Sequence, residues 1–281
     1  MTALMRKMTL PVLISSLSFV ILVACQNSDR IEELAYVERP VETLYQRATD
    51  ELDSRDYEQA ILLFNEVERQ HPYSEWARRS ALMSAFASYE SRRYDDAIDT
   101  ANRYLALNPA SQGAPYAYYL IAVSYFDQII DVGRDQKTTE LAQEALFELV
   151  RRYPDTDYAR DARLKLDMVD DHLAGKEMEI GRWYLRNNQH LSALNRFRNV
   201  VRDYDTTLHA EEALHRLVET YLSLGLRHEA VSAAAVLGYN YPQSEWYADS
   251  YSLLQGEGLN PDDLSESGRL EWIRGLVPNF N

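Results

Sequence analysis

The sequence contains a single cysteine, Cys25, in 281 residues. That excludes an internal disulfide framework and any cysteine-based zinc or iron–sulfur cluster. Glycine and proline are sparse, at 10 and 9 residues, too few for an all-β sandwich with its turn about every 8–12 residues. Bases are short as well: 29 Lys+Arg stand against 44 Asp+Glu, a net charge of −15. So acidic a chain repels nucleic acid, which argues against general DNA or RNA binding. Familiar catalytic signatures are missing: there is no G-x-S-x-G elbow, P-loop, dinucleotide fingerprint or H-E-x-x-H. The acid clusters Asp95-Asp96-Asp99 and Asp167-Asp170-Asp171 read as solvated helix faces. The segment from Asp131 to Asp135 lacks the alternate spacing and terminal Glu of a calcium loop. His209 and His215, six apart, fall on opposite sides of a helix and cannot share a metal. Hydrophobic residues still make up 46%, so the chain is no disordered acidic tail.

The start of the chain is an address. Arg6 and Lys7 precede an apolar run from Met8 to Ala24, the basic and hydrophobic regions of a secretory signal. At 17 residues the run is short of the roughly 20 that span a bilayer. Leu22-Val23-Ala24-Cys25 resembles a bacterial lipobox, in which the cysteine is lipidated and becomes the mature first residue. Gln26 after it implies sorting to the outer membrane. Removing residues 1–24 leaves 27 bases against 44 acids, a net −17. The expected organisation is a signal over 1–24, an anchor and tether over 25–40, a helical body over 41–255 and an acidic tail over 256–281.

The body repeats. Ala60, Ala97, Ala142, Ala193 and Ala230 form one column. Four residues on stand Phe64, Ala101, Leu146, Phe197 and Ala234, and seven on stand Val67, Tyr104, Leu149, Val200 and Leu237. Twelve on stand Pro72, Pro109, Pro154, Asp205 and Pro242. Offsets 0, +4 and +7 fall within an arc of about 60° on one helix face, and the proline then stops that helix. The pattern resembles the second helix and exit turn of a tetratricopeptide repeat, A-x3-F…P. The spacings of 37, 45, 51 and 37 exceed the usual 34 or so. An all-α, tetratricopeptide-like solenoid of five helix pairs is therefore expected. The pairs are 42–53 with 57–70, 75–91 with 94–107, 114–130 with 138–152, 157–187 with 190–203, and 207–224 with 227–240. The long helix over 157–187 is a candidate for a kink at Gly175. A capping helix over 244–255 closes the stack, because a terminal repeat otherwise exposes its apolar face.

Two stretches stand out as docking candidates. Arg182, Arg186, Arg196, Arg198 and Arg202 occur without one acid between them, and Arg suits bidentate recognition of a partner carboxylate. This reading takes the five as unpaired. The turn His71-Pro72-Tyr73-Ser74-Glu75-Trp76 gathers three rings around one proline, a candidate peptide-docking surface.

A lipobox followed by five long tetratricopeptide-like repeats resembles the BamD family, lipoproteins of the outer-membrane β-barrel assembly machinery. Further matches are Arg134-Asp135-Gln136 in the third-repeat insertion and the turn from Arg152 to Tyr158. Asp161-Ala162, Leu173-Ala174, Glu177 and Gly181 continue it through the long helix, and Asn195-Arg196 with Arg202-Asp203-Tyr204 through the next. Asp205 stands where the family has proline. The resemblance covers about residues 20–255. It implies a non-enzymatic, cofactor-free platform on the periplasmic face of the outer membrane, lipid-anchored at Cys25. Amino-terminal repeats would receive unfolded outer-membrane clients; carboxy-terminal repeats would hold periplasmic domains of the barrel-forming subunit. Carried onto this chain, the client role falls on His71, Pro72 and Tyr73, with Trp76 in the same turn. The subunit role falls on Arg196, with Arg198 and Arg202 beside it. An alternative is another tetratricopeptide lipoprotein that scaffolds peptidoglycan enzymes or proteases.

Overall fold

The computed structural model describes residues 39–129 and 136–260. Cys25, Arg134, Asp135 and the tail beyond Asn260 lie outside the described residues. Among the described residues eleven helices follow one another: α1 (Val41–Asp53), α2 (Tyr57–Gln70), α3 (Glu75–Glu90), α4 (Tyr94–Leu107), α5 (Ala114–Phe126), α6 (Lys137–Arg152), α7 (Asp157–Arg186), α8 (His190–Asp203), α9 (His209–Ser223), α10 (Arg227–Asn240) and α11 (Glu245–Gly256). Among the described residues there is no strand. Helix α5 stops four residues before the expected end at 130. Each helix packs on its chain neighbours, and each odd-numbered helix also touches the next odd-numbered one. The odd helices thus form the inner layer of a solenoid and the even ones the outer layer. The fold is the all-α repeat stack that the sequence implies.

The repeat columns are where the core sits. All fifteen residues at offsets 0, +4 and +7 are buried, and only Tyr104 shows any surface, 4%. Phe64 and Phe197 are among the largest side chains with no exposure. Where α7 crosses α8, the Phe197 ring lies so close over Gly181 that a Cβ there would stand 2.5 Å from Cε1. Helix α7 runs unbroken through Gly175. At Gly175 the neighbouring element comes close: a Cβ there would meet the His209 ring at 3.1 Å.

Turn chemistry recurs with the core. His71, Asn108, Tyr153, Tyr204 and Tyr241 close the even-numbered helices at φ between −131° and −138°. Each donates its N–H to the carbonyl four residues back. Tyr204 adopts this conformation although Asp205, not proline, follows it, so packing rather than the proline ring sets the exit there. Ser74 and Thr156, two residues after Pro72 and Pro154, accept hydrogen bonds from Ala77 and Ala159 and so cap the next helix.

The turns within pairs use a left-handed residue: Arg55 (φ 65°), Arg92 (60°), Asn188 (57°) and Gly225 (74°). Each lies five residues before its column alanine, and the next residue's N–H reaches the carbonyl five residues back, as in a Schellman cap. Only one of the four is glycine. Left-handed backbone costs a residue with a Cβ about 1–2 kcal/mol, and glycine loses part of that gain to a freer unfolded chain. Arg92→Gly should therefore raise stability by about 0.5–1 kcal/mol, seen as a higher melting temperature. A lower one would mean that the arginine side chain stabilises the turn.

Candidate docking surfaces

The first candidate turn joins α2 to α3, and its four residues part company. His71 closes α2, and its Nε2 lies 3.0 Å from the Arg39 carbonyl. The Arg39 N–H donates to Gln70 Oε1 at 3.1 Å. Together the two contacts clamp the chain where it enters α1. Gln70 is held in turn by Glu66, whose carboxylate accepts two bonds from Arg69; that guanidinium keeps the Glu66 pKa below the usual range. Trp76 packs against the Tyr45 ring at 4.8 Å, with the Arg79 guanidinium 5.4 Å from its own centroid. Tyr45 meets Phe64 edge-on at 5.6 Å. Trp76 thus belongs to the layer between repeats. Pro72 and Tyr73 project outward, Tyr73 at 97% exposure.

The basic stretch overturns one expectation. Three of its five arginines are paired, Arg182 and Arg196 by acids from other helices and Arg202 by its chain neighbour Asp203. Arg182 donates to Glu212 of α9 at 2.8 Å. Arg196 donates to Glu177 of α7 at 2.7 Å, and the other Glu177 oxygen accepts from Asn199 at 2.9 Å. Arg202 donates to Asp203 at 2.6 Å and to Asn199 at 3.0 Å; the aspartate raises its pKa. Arg186 is exposed and Arg198 half-buried. Neither has an ion pair or side-chain hydrogen bond among those found in the described residues. Arg198 is near enough to Tyr221 to lower the phenol's pKa, which burial raises more.

Two polar clefts open between neighbouring pairs. One, about 480 Å³, is lined by α2, α3 and α4; there Ser84 donates to Asn65 at 3.0 Å and Arg103 pairs with Glu68 at 2.7 Å. The other, about 390 Å³, is lined by Leu173, Lys176, Glu177, Asn199, Asp203 and Tyr204, among others. Burial pushes the Tyr204 phenol up to about 12. Among the described residues no three His, Cys, Asp or Glu side chains are grouped to hold a metal.

Sequence reading missed a tyrosine cluster on the inner layer. Tyr158 meets Tyr116 at 5.4 Å and Tyr119 at 5.2 Å, while Tyr119 donates to Asp161 at 2.8 Å and Tyr89 to Asp127 at 2.6 Å. Its only local signal is the i, i+3 spacing of Tyr116 and Tyr119. The other two tyrosines arrive from different helices.

Comparison with known proteins agrees with the motifs. The profile of the YfiO outer membrane lipoprotein family matches residues 37–237. The outer membrane protein assembly factor BamD of Caulobacter vibrioides is 54% identical over 237 residues, covering 84% of this chain and 78% of the relative. That of Rickettsia prowazekii is 44% identical over 216 residues, covering 77% and 86%. That of Neisseria meningitidis (strain Z2491) is 30% identical over 253 residues, covering 86% and 92%. With the lipobox, the five repeats and the long α7 already pointing the same way, the chain belongs to the BamD family of outer membrane lipoproteins and takes part in outer-membrane protein assembly.

Proposed function

We propose that the chain is a non-catalytic platform, anchored by a lipid on Cys25 to the periplasmic face of the outer membrane, that docks the barrel-forming subunit on α8 and unfolded clients at the α2–α3 turn. The observation that carries the subunit site is Arg198. Among the described residues it has no carboxylate partner, on a body whose net charge after removal of the signal would be −17. A partner carboxylate would meet Arg198 first, with Arg196 and Arg202 flanking it in their internal pairs. The client site narrows to Pro72 and Tyr73, because His71 and Trp76 are engaged in holding α1 and the repeat layer.

No described helix is long and apolar enough to cross a membrane; attachment is assigned to Cys25 on the strength of the lipobox Leu22-Val23-Ala24-Cys25. Cys25→Ser should move the protein from the membrane to the soluble fraction in cells lacking its partners. Retention of the Ser variant in outer membranes would sink the anchor. The platform itself is tested by native affinity purification in mild detergent. A large β-barrel protein is expected to co-isolate; recovery of peptidoglycan enzymes alone would favour a different scaffold.

A further inference from the structure

His215 is the one histidine among the described residues that is buried, at 4% exposure. It sits on α9 and faces the terminal helix. Its Nδ1 is 2.9 Å from Oγ of Ser250 on α11, a residue with no exposure. Its ring packs against Trp246 of α11 at 5.1 Å, tilted by 38°. The Arg216 guanidinium stands 5.4 Å from the same indole. Helix α11 packs on α9 and α10, and its Leu254, also without exposure, completes the core cluster that holds Phe197, Val200 and Leu217.

We propose that α11 is a proton-operated cap on the solenoid, held closed by the neutral His215 imidazole and loosened when that ring is protonated. The hydrogen bond alone would survive protonation, since Nδ1–H can donate to the serine oxygen. The opposing force is burial of a charge between two helices. The charges acting on the ring come from α9 (Glu219, Arg216 and Glu212) and from α11 (Asp249), while α10 brings the apolar Val236 and Leu237 to the neighbouring cluster. Glu219 Oε1 is 3.7 Å from Nε2, yet this carboxylate is already held by Arg216 at 2.7 Å. Burial outweighs the acids and lowers the His215 pKa. A group depressed in the folded state stabilises it fully above the unfolded pKa, about 6.5, and loses that contribution as the pH falls toward the folded value. Acid therefore favours an open cap and uncovers the seats of Trp246 and Leu254.

The test is deuterium exchange of the full chain at about pH 7.5 and about pH 5, corrected for intrinsic exchange and resolved to α11 and, as reference, α4. Opening of Glu245–Gly256 should increase from about pH 7.5 to about pH 5, by at most about thirtyfold, the limit that an open-state pKa of about 6.5 sets at the lower value, with α4 unchanged. His215→Asn keeps a polar group toward Ser250 and cannot titrate, so its α11 should open equally at both values. His209→Asn, at a partly exposed ring 3.9 Å from Asp171, should retain the wild-type response. Equal protection of wild-type α11 at both values overturns the proposal without any variant. So does an acid response that persists in His215→Asn.

Discussion

Phe197→Ala should lower the unfolding free energy by about 3–5 kcal/mol, as expected for emptying a fully buried aromatic site. The ring has no exposure and lies among Ala193, Val200, Ala213 and Leu217. Its cost should be near the upper end, because Gly181 beneath it has no side chain to move into the void. The same geometry sets a second arm of the experiment. Gly181→Ala alone places a methyl 2.5 Å from Phe197 Cε1 and should cost about 1–3 kcal/mol by overpacking. In the Phe197→Ala background that methyl has room, so the two costs should not add. Phe64→Ala should behave like Phe197→Ala, with loss of the Tyr45 edge contact. A solenoid is held by nearest-neighbour interfaces, so exchange protection should fall in adjoining helices as well. Unchanged melting temperatures in both alanine variants would mean that the buried columns do not carry the stability of the stack.

The other large effect concerns docking, and it separates two arginines that look equivalent in the sequence. Arg198→Glu should weaken capture of the barrel-forming subunit by about 2–5 kcal/mol if its partner carboxylate is desolvated in the complex. Folding should stay within about 0.5 kcal/mol, since Arg198 has no ion pair among the described residues that would be lost. Arg196→Glu is a different experiment. It sets a carboxylate against Glu177, already the acceptor for Asn199, and so should lower stability and docking together. Glu177→Arg in the same chain should restore stability by exchanging the charges. Pull-down at fixed salt, with helicity followed in parallel, distinguishes the cases. Equal recovery by wild type and Arg198→Glu would move the subunit site off α8.

What the sequence determined by itself is local. A helix face repeats every 3.6 residues, so Ala193, Phe197 and Val200 mark one buried stripe without reference to any other part of the chain. Proline at +12 marks a helix end by the geometry of its own backbone. Those signals sufficed for the five helix pairs of the repeat stack. Glycine permits either a bend or a close approach, so Gly175 alone did not announce the close approach of His209. Arg196 read as unpaired because Glu177 lies 19 residues away on another helix. Arg182 read so because Glu212 lies 30 away. His215 gave no sign of its burial, since Ser250 and Trp246 reach it from a helix 35 positions on. Charge pairing and desolvation depend on which helix faces cross, and crossing is set by inter-helix packing. The tertiary structure alone therefore decided which arginines of the stretch are paired within the fold and which histidine meets the cap.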